Sequence, residues 1–527
     1  MLLGPWVRPL TAVIEQDLHG DTALLTWNLW HVTESVLHAE NPYRAGSVYY
    51  PIGGNLTTHT YTPGFLPIGL LVRSLQAGEP TWPLAAYRAT TWVSFALALF
   101  AAFHALRALG AGTLAALAAS VAWAFAAVFR SRPFETHLVS VAFLLPLLSL
   151  VLARFVMQPQ RGRALALAAT AAGCVYFSEY YTPFLWLGLW ALVGFAACWG
   201  DTRATLQSLA RTLGRGGVAA VAGLFLLTAA PFLINWSVSH VEPFREDQAY
   251  FESANLAGFV VPDPAATPLY SSGLVARLND RVHRGVGGAA LFLGLPVMAF
   301  GAVGAVRANP PLRRILLALS ATFFVLSLGP ELKVFRTNTR LVLPYRALML
   351  VPPFDLARAP ARLAALGLWP LVCLQAVGLS HVSAALSRRS RGAGAVLAFA
   401  SLAWSVAEGR AGGPAPAPFQ PPPELFRLPP GAVLNLPVSD RDSFAMFLQV
   451  FHGRPIATGH LSRRSLEQIR HVDRLDELLR GEDPHELAGE LQRLGIGSAV
   501  LARGTPNDVV ERLRHAPLQV VVLRDRD

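Results

Sequence analysis

Two acidic residues near the start of the chain are the first candidates for chemistry. Asp17 and Asp21 come directly before an apolar, aromatic stretch that contains Trp27 and Trp30. A carboxylate at the start of such a helix is favoured by the helix dipole, and in a cleft it can act as a general base. Asp at this position also commonly caps a helix, and Trp commonly marks a membrane interface. Asp21 is the predicted base, with capping left open.

Arginines four residues apart are the best candidates for binding an anion. Arg358 and Arg362, four residues apart, come before an apolar segment, and Arg130 and Arg132 are the second candidates. A guanidinium group is always charged and binds phosphate in a bidentate way. The alternative is that these side chains reach from helix ends to the membrane surface. We expect Arg358 and Arg362 to bind phosphate if the chain has a phosphate ligand.

Three further ionisable residues could line the same cleft. Glu179 lies in a turn between two apolar segments, where an acid usually has a partner or a role. His59 and His137 are polar residues beside apolar segments, and such histidines are also commonly structural. All three are therefore predicted substrate-binding residues with a structural alternative.

Composition places these residues in a membrane protein. The chain has 527 residues, of which 53% are hydrophobic and 15% charged, and its mean hydropathy is +0.41. We find about ten apolar segments near the length of ~20 residues that crosses a bilayer. They lie near 82–108, 112–130, 134–156, 163–179, 181–199, 214–236, 286–306, 312–329, 362–386 and 392–408. The net charge of +11 is assigned to loop ends, and no nucleic-acid partner is expected.

The arginine distribution predicts an orientation. Alternate connectors are rich in Arg, which places them on the cytoplasmic side. Residues 1–81, the loops 237–285 and 330–361, and residues 409–527 then share the outer face of a bacterial inner membrane. Residues 82–408 form the transmembrane domain, 409–423 a Pro-rich linker and 424–527 a small soluble α/β domain. In the last, short apolar runs predict strands at Ala432–Leu436, Pro455–Thr458, Ser498–Ala502 and Gln519–Leu523, with helices near 440–451, 483–494 and 506–515. Segment 63–77 is predicted to lie along the outer interface.

The first segment predicts an earlier helix that this chain lacks. Residues 15–61 are placed outside, yet residues 1–14 are too short and too polar to span a bilayer. We expect the true start to lie upstream, with an interfacial remnant as the alternative.

The first outer segment resembles the first periplasmic loop of bacterial GT-C glycosyltransferase-like membrane proteins. The resemblance rests on short motifs spread over that segment: Gly20-Asp21, Trp27-Asn28-Leu29-Trp30, Asn41-Pro42-Tyr43, Tyr50-Pro51-Ile52-Gly53-Gly54-Asn55-Leu56 and His59-Thr60-Tyr61-Thr62-Pro63. Arg88 resembles a recurrent Arg at the start of the next helix. Asn255 departs from the pattern, because an acid is expected before the stretch Val260-Val261-Pro262-Asp263-Pro264.

The resemblance implies a membrane glycosyltransferase that moves a sugar from a polyprenyl-phosphate carrier to an acceptor on the outer face. Asp21 would be the base, with Asp17 as a second acid or metal ligand. Arg358, Arg362, His59, Glu179, Arg88 and His137 would bind substrate. A divalent cation, and a saccharide, lipid or protein as acceptor, are left open. A flippase for lipid-linked saccharides and a non-catalytic scaffold are the alternatives; the clustering of carboxylates outside the membrane favours the enzyme.

Overall fold

The computed structural model describes most of the chain. The described residues are 12–13, 21–130, 136–237, 246–263, 267–283, 291–335, 337–352, 354–409, 417–438, 442–481, 483–501, 505–516 and 518–522. Asp17, predicted as a second acid, and Arg132 lie outside them. The chain divides into two compact units, which we call the mixed unit and the helical unit.

The mixed unit combines the first segment with the C-terminal tail. It comprises Val7–Thr90, Pro231–Glu242 and Ala415–Asp527. Its helices are α1 (Asp21–Leu37), α2 (Leu66–Leu75), α17 (Ser443–His452), α18 (Leu466–Arg480), α19 (Pro484–Arg493) and α20 (Asn507–Arg514). Its strands are β1 (Ala12–Val13), β2 (Arg44–Ala45), β3 (Gly54–Asn55), β6 (Ala417–Pro418), β7 (Ala432–Leu436), β8 (Ile496–Leu501) and β9 (Gln519–Val522). The tail thus packs with the segment that carries Asp21.

The tail contains a parallel sheet formed by strands at predicted positions. Strands β7, β8 and β9 pair in that order, and both pairs are parallel. All five residues of β7 are buried, as expected for a strand covered on both faces. The predicted strand Pro455–Thr458 runs beside β7, since Val433 N donates to Pro455 O at 2.8 Å and Ala457 N donates to Val433 O at 2.9 Å. Helix α18 was not predicted.

The helical unit comprises Thr91–Ala230 and Pro243–Pro414. It holds the greater part of α3 (Trp82–Ala108) and α9 (Gly200–Ser237), with α4 (Thr113–Ala124), α5 (Ala127–Arg130), α6 (Thr136–Met157), α7 (Arg161–Gly173), α8 (Thr182–Cys198), α10 (Glu246–Phe251), α11 (Gly273–His283), α12 (Leu295–Arg307), α13 (Pro310–Ser327), α14 (Tyr345–Leu348), α15 (Ala364–Arg389) and α16 (Ala393–Glu408). Strands β4 (Glu331–Val334) and β5 (Thr337–Val342) form an antiparallel hairpin.

Five helices among the described residues are long and apolar enough to cross a membrane. They are Trp82–Ala108, Leu138–Met157, Arg203–Ser237, Pro310–Ser327 and Pro360–Arg389. Shorter apolar helices occupy four of the other predicted positions: α4, α8, α12 and α16. The predicted helical membrane class is confirmed, whereas the number of about ten spans stays a prediction.

Helix α15 is the centre of the helical unit and approaches α12 closely. A Cβ atom added at Gly304 of α12 would lie 1.9 Å from Leu374 O, and one at Gly378 of α15 would lie 2.0 Å from Phe300 O. Small residues let the backbones of apolar helices approach in this way. The same helix is preceded by the segment that carries Arg358 and Arg362.

Candidate functional site

The predicted base lies at the start of a buried helix. Asp21 is in the first turn of α1 and is partly exposed, whereas the next eight residues are buried. The carboxylate therefore combines access to solvent with the favourable field at a helix N-terminus. Asn28 follows seven residues later, two turns along, and so lies on the same side of α1 as Asp21.

His59 fixes Asn28 and joins it to the tail. Ser462 N donates to His59 Nδ1 at 2.9 Å, so Nδ1 accepts and the proton is on Nε2. Nε2 then donates to Asn28 Oδ1 at 3.1 Å, and Asn28 Nδ2 donates to Thr60 O at 2.6 Å. His59 is fully buried, and both of its ring nitrogens are engaged within the chain. His59 therefore connects α1 to the tail through both ring nitrogens.

Trp27 is part of the interior and not an open platform. It is fully buried, and its Nε1 donates to Gln449 Oε1 of the tail at 2.7 Å. Its ring stacks on His31 with 4.8 Å between ring centroids and 2° between planes. Burial lowers the pKa of His31 to about 4, against the opposing effect of backbone hydrogen bonds at Pro42 and Arg44. This face of α1 is therefore neutral and apolar at pH 7, while Trp30 remains partly exposed.

The predicted phosphate ligands converge on Tyr180 in the helical unit. The Arg362 guanidinium carbon lies 5.7 Å from the centre of the Tyr180 ring, a cation–π contact. The Tyr180 hydroxyl donates to Ala359 O at 2.9 Å and accepts from Ala359 N at 3.1 Å. Burial raises the pKa of Tyr180, and the charges of Arg362 and Arg358 lower it. Both arginines therefore lie within electrostatic range of one tyrosine, directly before α15.

Glu252 and Tyr180 are site residues that the sequence interpretation missed. The charge of Glu252 also acts on Tyr180, and Glu252 O accepts from Ala361 N at 3.1 Å, between the two arginines in the chain. Glu179 is the neighbour of Tyr180 in the turn before α8 and is partly exposed. Tyr180 directly follows Glu179 in the sequence, and this position was the signal that could have found it.

Asn255 explains why the expected acid is missing at its position. Its amide nitrogen donates to Val282 O at 3.2 Å and to Phe335 O, and its amide oxygen accepts from Ala257 N and Phe335 N, each at 3.1 Å. An ionised Asp has no donors and would leave two buried carbonyls without these bonds. The preceding acid in the chain is Glu252, three residues earlier.

The remaining predicted residues are distributed along the helices. Arg88 lies in α3 and is buried, with 5% of its surface exposed. His137 begins α6, and Arg130 ends α5, but their side chains are outside the described part of the structure. Within the described residues no group of three or more His, Cys, Asp and Glu side chains is arranged to hold a metal ion.

Among solved structures, the chain is similar in fold to one arabinofuranosyltransferase. It matches the arabinofuranosyltransferase AftD from Mycobacteria with a TM-score of 0.53 and 16% identity over 96% of this chain and 39% of AftD. It also matches ArnT from Cupriavidus metallidurans, solved with bound undecaprenyl phosphate, with a TM-score of 0.40 and 12% identity over 98% of this chain and 88% of ArnT. No protein-family model matches the chain, and no curated protein is similar to it in sequence.

The similarity to AftD is one of fold, because the identity is low. This chain spans about two fifths of the length of that structure. The apolar helices and this similarity together confirm the fold class expected from the sequence. The chain is an α-helical membrane protein with a GT-C glycosyltransferase-like fold.

Proposed function

We propose that the chain is a membrane glycosyltransferase that moves a sugar from a polyprenyl-phosphate carrier to an acceptor hydroxyl. The observation that carries this proposal is the contact of the Arg362 guanidinium with the Tyr180 ring at the start of a helix that can cross the membrane, with the charge of Arg358 also acting on Tyr180. A lipid phosphate lies at that depth, and guanidinium groups bind it in bidentate geometry. The fold shared with an arabinofuranosyltransferase supports the same reaction class.

Asp21 is assigned the role of base. The acceptor oxygen attacks the anomeric carbon of the donor sugar while the carboxylate of Asp21 takes the hydroxyl proton. The bond between the anomeric carbon and the phosphate oxygen breaks, and its electrons leave with the polyprenyl phosphate. Attack opposite the leaving group inverts the anomeric carbon. Asp17 would assist as a second acid.

Arg358 and Arg362 are assigned to the leaving phosphate. Charge grows on the phosphate oxygens as the sugar departs, and preplaced cations stabilise that charge more in the transition state than in the ground state. Glu179 and Glu252 would orient these guanidinium groups or hold sugar hydroxyls. We assign His59 and Arg88, which are buried, to positioning the helices of the site. His137 remains a predicted substrate-binding residue.

The proposal includes a location and partners. The chain would lie in a bacterial inner membrane, with both the acceptor and residues 424–527 on the outer face. The acceptor would be a saccharide, a lipid or a protein, and a divalent cation is left open.

A transfer assay tests the base. Membranes that contain the chain are supplied with a panel of labelled polyprenyl-phosphate sugars, and the wild type is compared with Asp21→Asn. Loss of a general base costs about 10²–10⁴-fold in rate, so transfer should fall by at least about a hundredfold. Glu40→Gln is the matched control, because Glu40 is an exposed acid of the same segment and should leave transfer unchanged. Equal transfer by Asp21→Asn would remove Asp21 from the mechanism.

The same assay tests whether Arg362 binds the phosphate of the donor. Arg362→Gln should lower kcat/KM by about 10- to 100-fold, since a hydrogen bond to a charged group contributes about 1.5–3 kcal/mol. Arg281→Gln is the control, because Arg281 is an exposed arginine of the same unit. If the wild type binds polyprenyl phosphate but transfers no sugar from any donor, the flippase or scaffold alternative replaces the enzyme.

A further inference from the structure

A hairpin and the turn after it expose apolar side chains in the helical unit. The hairpin is β4–β5, and the turn follows α14. Five large apolar side chains are exposed there: Phe335 by 46%, Leu341 by 56%, Val342 by 56%, Leu350 by 83% and Val351 by 48%. Contiguous exposed apolar surface marks contact with a membrane or with another protein. The described residues leave this surface uncovered.

The chain holds this segment close to the membrane. Helix α13, which can cross a membrane, ends at Ser327, and β4 begins at Glu331. Because the chain extends by at most ~3.6 Å per residue, β4 starts within ~15 Å of the end of that helix. The C-terminal end of the hairpin is also fixed, because Leu343 N donates to Pro330 O at 2.9 Å and the Tyr345 hydroxyl donates to Ala357 O at 2.7 Å. The hairpin therefore lies at the membrane surface.

The charges of the segment match a phosphate surface. Residues 335–352 contain Arg336, Arg340 and Arg346 and no Asp or Glu. Arg340 and Arg346 are exposed. The two other charged groups of the hairpin have partners within the protein. Glu331 lies 4.0 Å from the Arg346 guanidinium and accepts from Asn338 at 2.7 Å, and the Lys333 ammonium donates to Tyr250 O. Arg340 is therefore the cation that this surface presents. The uncovered surface is thus apolar and cationic, as in segments that lie among lipid headgroups.

We propose that residues 335–352 insert into the lipid headgroup layer at the membrane surface. The apolar side chains reach the top of the acyl chains, and Arg340 binds a lipid phosphate. A water-soluble protein partner would be expected to bring acidic side chains to such a surface, whereas the adjoining spans already bring lipid to it. The insertion holds the following segment, with Arg358 and Arg362, at phosphate depth. This inference does not depend on transferase activity.

Site-directed spin labelling tests the insertion. Cys198, the exposed cysteine among the three, is changed to Ser, and Cys174 and Cys373 are buried. Leu350→Cys is then labelled in the full chain, reconstituted into vesicles of phosphatidylethanolamine and phosphatidylglycerol. Collision rates are measured with oxygen, which concentrates in lipid, and with a water-soluble nickel chelate. The control label is at Glu477→Cys, on the side of α18 that faces solvent with 72% side-chain exposure.

Insertion predicts that the ratio of oxygen to nickel collisions is reversed between the two sites. The label at residue 350 should collide mainly with oxygen, and the label at residue 477 mainly with the nickel chelate. Nickel access at residue 350 equal to that at 477 would place the turn in water and overturn the proposal. Low access to both reagents would show that protein covers the turn, which overturns it equally. Val351→Cys provides a second reading if Leu350→Cys does not reconstitute.

Discussion

Asp442 is a buried carboxyl group whose raised pKa should make the stability of the mixed unit depend on pH. Burial raises its pKa from 3.8 to about 6, against the opposing effects of hydrogen bonds from Ala445 N and the Thr458 hydroxyl. The folded chain therefore binds this proton more tightly than the unfolded chain. The stability that this group contributes is fully present below about pH 4 and is lost as the pH rises towards 6. The loss amounts to about 1.4 kcal/mol for each pH unit within that window.

Asp442→Asn should remove this pH dependence. An Asn side chain still accepts from Ala445 N as the cap of α17, and it has no charge to bury. The apparent melting temperature of the variant relative to the wild type should therefore increase from pH 4 to pH 6 and stay constant above. Asp473→Asn, at an exposed position of α18, is the control. If the difference in melting temperature between Asp442→Asn and the wild type does not change with pH, the raised pKa of Asp442 is contradicted.

At the scale of elements, the close contact between α12 and α15 depends on glycine. A Cβ at Gly304 would collide with the Leu374 carbonyl, so Gly304→Ala must push the two helices apart. Overpacking of this kind costs about 1–3 kcal/mol. We expect a lower apparent melting temperature in detergent. Gly194→Ala on α8 is the matched control, because nothing lies within 4 Å of its added Cβ and a helical Ala is favoured. Equal apparent melting temperatures for Gly304→Ala and Gly194→Ala would exclude the close approach of α12 and α15.

The elements also show which parts of the fold a sequence can reveal. Apolar segments long enough to cross a bilayer were recognised because burial in lipid needs an unbroken run of such residues. Strand β7 was predicted at its observed bounds, Ala432–Leu436, for the related reason that it is buried on both faces. Helix α18 was missed because its charged residues hide a narrow apolar stripe that includes Val472 and Leu475. Ser465 and Gln468 form a capping box, which was the local signal for its start.

The candidate site could be predicted only in part, because contacts distant in the chain leave no local pattern. Arg358 and Arg362 were found from their spacing and charge. Tyr180 contacts the Arg362 guanidinium but lies about 180 residues away in the sequence, and nothing local distinguishes it from other tyrosines. His59 was predicted to bind substrate, yet its Nδ1 accepts from Ser462 N, 403 residues later. Its neutral, engaged ring follows from that contact alone.

At the scale of the whole molecule, the tail and the first segment depend on each other through Gln449. Gln449 is fully buried and accepts from Trp27 Nε1, while its amide nitrogen donates to Ser47 O at 2.8 Å and Arg454 O at 3.0 Å. Backbone hydrogen bonds continue the connection, with Tyr50 N donating to Ile456 O at 3.0 Å and Ile456 N donating to Ser47 O at 2.8 Å. The helix that carries Asp21 is therefore held by residues more than 400 positions later.

Gln449→Met should loosen this connection while keeping side-chain volume. It leaves buried polar groups of Trp27 and Ser47 without their partner, at a cost of about 1–3 kcal/mol. Amide hydrogen exchange at Tyr50 and Ile456 should accelerate by about 5- to 150-fold, while exchange in α15 should not change. Gln492→Met, at an exposed position of α19, is the control. Unchanged exchange at Tyr50 would show that the first segment is stable without this contact, and uniform acceleration through α15 would show a global loss of stability instead.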